Sequence, residues 1–361
     1  MLSQISAHLR QKLKVFFLTD DLVFKNKVMP IVQEKFEPIG QVSSLTVTGL
    51  KTIAYVDGGQ AEILSGGNIC LSFIRVFGQV MRGSAKIGSE MHEFYVLTTA
   101  VYKRGDIWYE SKIFPMQRGN NGDNACDNVT EEGANKGVIT NGDINNGDIN
   151  NCGDEVGGCL VDEEDLVICS HDTSINGGGE RAAISSVANM ARRLGELKLA
   201  SRMAMRVDYV VLDGTLDVKY PSEEKYRRAL GEKVCALAKS CSLFTTCGNN
   251  PVVLLRALSP LPECWSYHVD EQIYFVRLHA KSRHIFRFEG CCEVLGYLAQ
   301  NSCDALFLGY PYGLILVDKM ARVSNVERDG LRMKLLLRDE NREFVDYLNA
   351  MNAHDILDRL G

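Results

Sequence analysis

Two apolar runs in this chain end alike. IAYVDGG places Asp57, and VVLDGTL places Asp213, at the C-terminal end of a strand-like run and directly before glycine. A carboxylate in that position emerges at the edge of a sheet, while the glycines keep the neighbouring backbone compact. Two such carboxylates on adjacent strands can share divalent metal ions. Those ions activate water and stabilise the leaving oxygen in phosphodiester cleavage, standing about 3.5–4 Å apart in two-metal sites. Asp-Gly is also a common turn dipeptide, so each aspartate alone reads as a turn and only the pair points to metal. A third acid precedes the second run, where RRLGE sets Arg192 and Glu196 four residues apart, on one helix face. The rest of that helix and one strand separate Glu196 from Asp213, which lets the acids converge at one sheet edge. The alternative is a surface Arg–Glu pair worth about 0.3–0.5 kcal/mol.

Other residues are open to two readings. His279 and His284 stand near the ends of a predicted hairpin with Arg277, Arg283 and Arg287. They form either a basic ribbon that tracks nucleic-acid phosphates or a solvated hairpin face. Tyr310 either positions a substrate or fills core. Trp108 and Trp265 read as packing residues rather than stacking platforms. Ser185 and Ser186 lack the G-x-S-x-G setting of a hydrolase nucleophile. There is no GxxxxGK followed by Ser or Thr, so the chain should not hydrolyse ATP, and movement along a polymer would draw on a partner.

The elements that must position these residues can be read from periodicity. Ser3–Phe17 and Asn26–Phe36 read as helices. Lys51–Val56, Ile69–Phe77, Glu93–Tyr102 and Ile107–Phe114 read as strands separated by glycine-rich turns, an antiparallel meander. Ala183–Met205 carries Ile184, Val187, Ala188, Ala191 and Leu194 on one helical face. Val207–Leu212 is a buried-strand candidate. Ser222–Lys239 reads as a helix, with Ser222 as its cap and Glu224 in its first turn. Gln272–His279 and Ser282–Phe288 form the hairpin; Glu293–Gln300, Gly313–Arg322 and Asn341–Leu360 read as helices. A β-meander followed by helix–strand–helix predicts an α/β fold, a mixed sheet flanked by helices.

One stretch differs from all this. Residues 117–180 repeat a short NGDI unit and are dominated by Asn, Asp and Gly, without aromatics. That composition cannot offset its ordering entropy, so it reads as a low-complexity surface insert, with Asp165–Ser170 as a short strand. Its Asp spacing does not fit the EF-hand calcium pattern. Residues 118–180 hold fourteen Asp and Glu against Arg118 and Lys136, a net −12, so the overall −6 hides a body carrying +6. Such a body is compatible with phosphate binding. The twelve cysteines include no CxxC, which favours reduced, structural thiols over zinc or redox roles. The absence of a long apolar run and of a secretory signal pattern places the chain in the cytoplasm, with no membrane partner.

The order of these motifs resembles the NurA nuclease family: VDGG, then R-x-x-x-E on a helix, then VVLDGTL, then a basic residue in LAKSCS, then GYP-x-x-L-x-x-x-D. The resemblance covers most of the chain outside the insert; each motif is short, and its specificity lies in order and spacing. It implies a ribonuclease-H-like core in two parts, 46–116 and 181–340, between an N-terminal helical segment 1–45 and a C-terminal helix 341–361, with the insert at 117–180. It also implies Mn2+ as cofactor, or Mg2+, and the activities of a single-strand endonuclease and 5′-to-3′ exonuclease. Its partners would be DNA, a second copy in a homodimer, and a HerA-type hexameric ATPase, in double-strand break end resection. Carried over by position, Asp57, Glu196 and Asp213 would be metal-binding acids, Arg192 the arginine one turn earlier, and Lys239 a basic residue at the scissile phosphate. Asp318 falls where many family members carry His, and offers a further hard oxygen ligand. That departure keeps open a member that binds DNA or the ATPase without cutting; a ribonuclease-H-like enzyme acting on RNA or junctions is the other alternative.

Overall fold

Long β-branched and aromatic runs broken by short Gly-containing turns dominate the first half of the chain, and they fold as hairpins. The computed structural model describes residues 2–15, 20–40, 50–116, 159–241, 243–338 and 341. After α1 (Leu2–Val15) come β1 (Leu22–Phe24), β2 (Lys27–Met29) and β3 (Phe36–Pro38). The meander follows as β4 (Thr52–Gly66), β5 (Ile69–Arg82), β6 (Ala85–Lys103) and β7 (Asp106–Pro115). Next come β8 (Ile168–Cys169), α2 (Ser186–Ala204), β9 (Tyr209–Asp213), α3 (Glu223–Arg228) and β10 (Val234–Ala238). The chain continues through β11 (Phe244–Thr245), α4 (Pro251–Leu258), β12 (Trp265–Asp270), β13 (Ile273–Arg277) and β14 (Phe286–Glu289). It closes with α5 (Leu295–Gln300), α6 (Tyr312–Ala321) and α7 (Asn325–Leu336).

Eleven strands form one sheet in the order β3-β12-β13-β14-β10-β9-β4-β5-β6-β7-β8. At its centre β4, β5 and β6 are antiparallel neighbours, while β9 lies parallel to β4 and β10 parallel to β9. A three-strand meander continued by two parallel strands, the first reached through helix α2, is the ribonuclease-H-like arrangement. Helices cover both faces. On one face α2 packs over β4, β5 and β9, with Val187, Ala191, Leu194, Leu197 and Leu199 fully buried. On the other, α5 and α6 pack through Leu298, Leu314 and Val317 against Tyr55, Val211 and Leu237. Truncating Leu194 to Ala in such a setting costs about 2–5 kcal/mol.

Several expectations change. Residues 26–36 are not a helix: Lys25 and Asn26 adopt φ of 47° and 62°, the left-handed pair that a two-residue hairpin turn needs, and β1 and β2 fold back across it. The run 222–239 is helical only as far as Arg228. VCALA is fully buried between β9 and β14, and a strand covered on both faces reads as a continuous apolar run, which mimics a buried helix. At the end of the compositional insert, Leu160, Val161, Leu166 and Ile168 join the core against α2, so the low-complexity character stops before Cys159; the short strand expected at 165–170 is present as β8. The rest of the insert and the 341–360 helix lie outside the described residues, Cys159 onward and Asn341 aside. The ten described cysteines are free thiols, and no described helix is long and apolar enough to cross a membrane.

Candidate metal centre

The two Asp-Gly motifs do different structural work. Asp213 ends β9, as expected. Asp57 does not end β4: the strand runs on through Gly58 and Gly59 to Gly66, with Asp57 opposite Phe77. Parallel pairing with β9 stops at Val56↔Leu212, so Asp57 is the first residue of β4 beyond its partner's side-by-side pairing and lies beside Asp213. The glycines serve close approach rather than a turn. A Cβ on Gly58 would meet Glu196 Oε1 at 2.7 Å, and one on Gly59 would meet the carbonyl oxygen of Ala321 at 2.0 Å. Without side chains there, α2 and the end of α6 press onto opposite faces of β4 at the level of the acids.

Asp57, Asp213 and Asp318 each offer a carboxylate oxygen, and the three oxygens lie within 4.8 Å of one another. Asp318 reaches the group from α6, so two adjacent strands and a helix packed on one face of the sheet meet at one point. Lys239, directly after β10, hydrogen-bonds Asp213 at 2.6 Å and lies 3.6 Å from Asp318. Arg322 holds the other oxygen of Asp318 at 2.7 Å. The six expected site residues therefore separate into two sets. Asp57, Asp213, Asp318 and Lys239 come together on the α6 side. Glu196 and Arg192 sit against Gly58 on the α2 side, paired with each other, and Arg193 stands 3.8 Å from the second Glu196 oxygen. Glu196 is thus no exposed surface partner but 2% exposed, adjacent to the three-acid group rather than within it.

The electrostatics are those of excess negative charge. Burial, reinforced by the charges of Glu196 and Asp213, pushes the Asp57 carboxyl up to about 7, against the hydrogen bond it accepts from Gly58 N–H at 2.8 Å. Burial also raises Glu196 above the usual carboxylate range despite its arginines, and the charge of Glu196 raises Arg192 in turn. Burial opposes the Lys239 charge, but the hydrogen bond to Asp213 and the charges of Asp213, Asp318 and Asp57 together outweigh it and raise the ammonium above its ordinary range.

Tyr310, open to two readings from sequence, fills core with its ring and turns its hydroxyl toward the acids. Its ring is 1% exposed, 5.2 Å from Phe286 and stacked on Phe307 at 5.2 Å. Its hydroxyl is buried and lies among the three aspartates, beside Asp213, without a well-aligned hydrogen bond among the described residues. Three hard oxygen ligands, and a carboxyl that burial and the neighbouring carboxylates push up toward neutrality, fit a divalent cation.

Two supporting residues were not legible in sequence. Arg193, in a stretch that reads as a surface helix, is buried and bridges Glu223 Oε1 at 2.8 Å and the carbonyl of Thr215 at 2.6 Å. Glu223 accepts the backbone N–H groups of Lys219 and Tyr220 at 2.8 and 3.2 Å. The pair ties the loop after Asp213 to α2 and fixes the strand end that carries the acid. In the hairpin, Arg287 is buried against Glu289 and Asp217 at 2.9 and 2.8 Å. Arg277 is spent on the carbonyls of Ser282 and Ala280. Trp265 is fully buried, edge-on to Phe36 at 4.9 Å, a packing residue as expected.

No family model matches the chain, and no curated protein matches it. Among solved structures it is similar to endonuclease V from Ciona intestinalis, in complex with a 24mer DNA containing an inosine followed by a ribo-adenosine. That match has 8% identity, covers 79% of this chain and 90% of that one, and has a TM-score of 0.36. The catalytic domain of human endonuclease V matches at 10% identity over 93% and 98% of the two chains, with a TM-score of 0.32. Argonaute from A. aeolicus matches at 8% identity over 75% of this chain and 28% of that one, with a TM-score of 0.27. Overlaps this loose carry nothing about activity, and the fold rests on the strand order and crossover.

Proposed function

We propose that the chain is a metal-dependent DNA nuclease of the NurA type. The observation that carries the reading is the convergence of Asp57, Asp213 and Asp318 from two parallel strands and a helix packed on one face of the sheet, with Lys239 among them. Asp57, Asp213 and Asp318 would hold the cation, Mn2+ or Mg2+, with Glu196 beside them on the α2 side as a further acid. A divalent ion bound there supplies charge to a phosphodiester and makes water a stronger nucleophile at neutral pH. Lys239 and Arg192 offset charge on the phosphate, most effectively in a site that excludes water. Tyr310 donates its hydroxyl to whatever oxygen occupies the space between the acids.

The motif order further supports the finer assignment: single-strand endonuclease and 5′-to-3′ exonuclease, acting as a homodimer with a HerA-type hexameric ATPase in end resection. One observation favours a second reading. The Lys239 ammonium already neutralises Asp213 and approaches Asp318, as an internal cation would in a member that binds DNA without cutting. Digestion of 5′- and 3′-labelled single strands and duplexes with Mn2+, with and without the cognate ATPase, separates the two. The nuclease reading expects metal-dependent fragments, short products first from the 5′ label, and stimulation by the ATPase. Intact DNA under every condition, with Lys239→Met restoring only Mn2+ binding, establishes the non-cutting reading.

A further inference from the structure

The hairpin loop left over from the sequence analysis lies at the same end of the sheet as the acids. β14 runs antiparallel to β10 with Ala238 opposite Arg287, so the 278–285 loop projects beside Lys239. It is a built loop. Ser282 is buried, its N–H donates to the carbonyl of His279 at 2.9 Å, and its hydroxyl accepts the N–H of His284 at 3.0 Å. A second loop, 301–309, is locked against it at Gly309, which has φ +95° and where a Cβ would stand 2.3 Å from Ser282 Oγ. Together they present an exposed imidazole, His284, edge-on to Phe307 at 4.9 Å, and an 83% exposed Leu306. Lys281 and Arg283 are exposed beside them, with no carboxylate in ion-pair distance among the described residues. Asp304, the acid on the second loop, is turned back onto the N–H of Leu306 at 2.8 Å.

The platform is continuous with the metal centre. Lys239 lies 5.2 Å over the ring of Tyr310, Tyr310 stacks on Phe307 at 5.2 Å, and Phe307 meets His284. An exposed imidazole set against a half-buried phenyl ring, with an exposed leucine and unpaired cations beside it, has the make-up that grips single strands: bases stack on rings while phosphates meet cations. We propose that His284, Phe307 and Leu306 form a stacking platform for an unpaired nucleobase flanking the scissile phosphate, with Lys281 and Arg283 on the adjoining backbone. The ligand is a single-stranded nucleic acid, and the inference rests on the nuclease reading for what happens next to it.

The test measures anisotropy of a fluorescent oligothymidylate, and of an abasic strand of equal length, in EDTA with the full chain. His284→Ala should lose roughly tenfold affinity for the base-bearing strand and little for the abasic one, with His284→Phe restoring it. Lys281→Ala with Arg283→Ala should flatten the slope of log affinity against log salt by about 1.4, two single-strand phosphates at about 0.7 each. Unchanged affinity in all variants, or equal losses on both strands with His284→Ala, overturns the platform. Hydrolysis of bis(p-nitrophenyl) phosphate with Mn2+, which is too small to reach the platform, keeps the two claims apart. If the wild type fails there and also leaves DNA intact with the cognate ATPase, while the affinities fall as expected, the nuclease reading is lost and the platform stands.

Discussion

Two side chains at the centre make separate predictions. Lys239 competes with a metal for Asp213 and Asp318, yet supplies charge to the phosphate. Lys239→Met should therefore tighten Mn2+ binding several-fold in calorimetry while lowering the cleavage rate by about 10²-fold. Weaker binding, or an unchanged rate, would refute that double role. Asp57 ionises near pH 3.8 in an unfolded chain and at about 7 in the metal-free fold. Between those values the native state keeps a proton that the unfolded chain has lost. The stability this group contributes is complete below about pH 4 and falls by about 1.4 kcal/mol per pH unit toward pH 7. Asp57→Asn should remove that fall in metal-free denaturation profiles. Mn2+ binding by the wild type, which must displace that proton, should tighten as pH rises toward 7. Identical pH–stability profiles for wild type and Asp57→Asn would show that Asp57 does not titrate as described.

At the scale of elements, the acids are set by how closely helices approach β4. Gly59→Ala places a methyl against the Ala321 carbonyl, which neither partner can yield without moving the end of α6. It should cost about 1–3 kcal/mol in denaturant unfolding and weaken Mn2+ binding, because Asp318 retreats with its helix. Full stability with undiminished metal affinity would mean that α6 does not position Asp318. This is also where sequence reading reached its limit. The meander, α2 and β9 were legible because their apolar periods are long and regular. The role of the glycines was not, since a dipeptide that opens a turn and one that admits a helix look alike without knowing what packs above. VCALA read as helix for a similar reason: burial on both faces erases the alternation that marks a strand. In sequence Glu196 stays open between a metal-binding acid and a surface partner of Arg192, and Arg193 does not stand out, because nothing local announces that residues 159–170 and α3 cover that side of α2.

For the whole molecule, topology is a better guide than net charge. Residues 159–180 pack with the body and bring six acids, so the +6 read by composition becomes a neutral body of 38 basic and 38 acidic side chains outside 118–158. What stands out is a local concentration of carboxylates where β4 and β9 meet α6, with the His284–Phe307 platform and its cations beside it. Asp57, Asp213 and the order of motifs could be found in sequence; their meeting with Asp318 required the crossover through α2 and the return of α6 on the opposite face. The measurement that tests this account most directly is Mn2+-dependent cleavage of labelled single-stranded DNA by the wild type and by Asp57→Asn, Asp213→Asn and Asp318→Asn, each confirmed folded by circular dichroism. The account predicts cleavage abolished by EDTA and reduced on the order of 10²-fold or more at Asp57 and Asp213, with a clear loss at Asp318. Folded variants that cut DNA as fast as the wild type would contradict it.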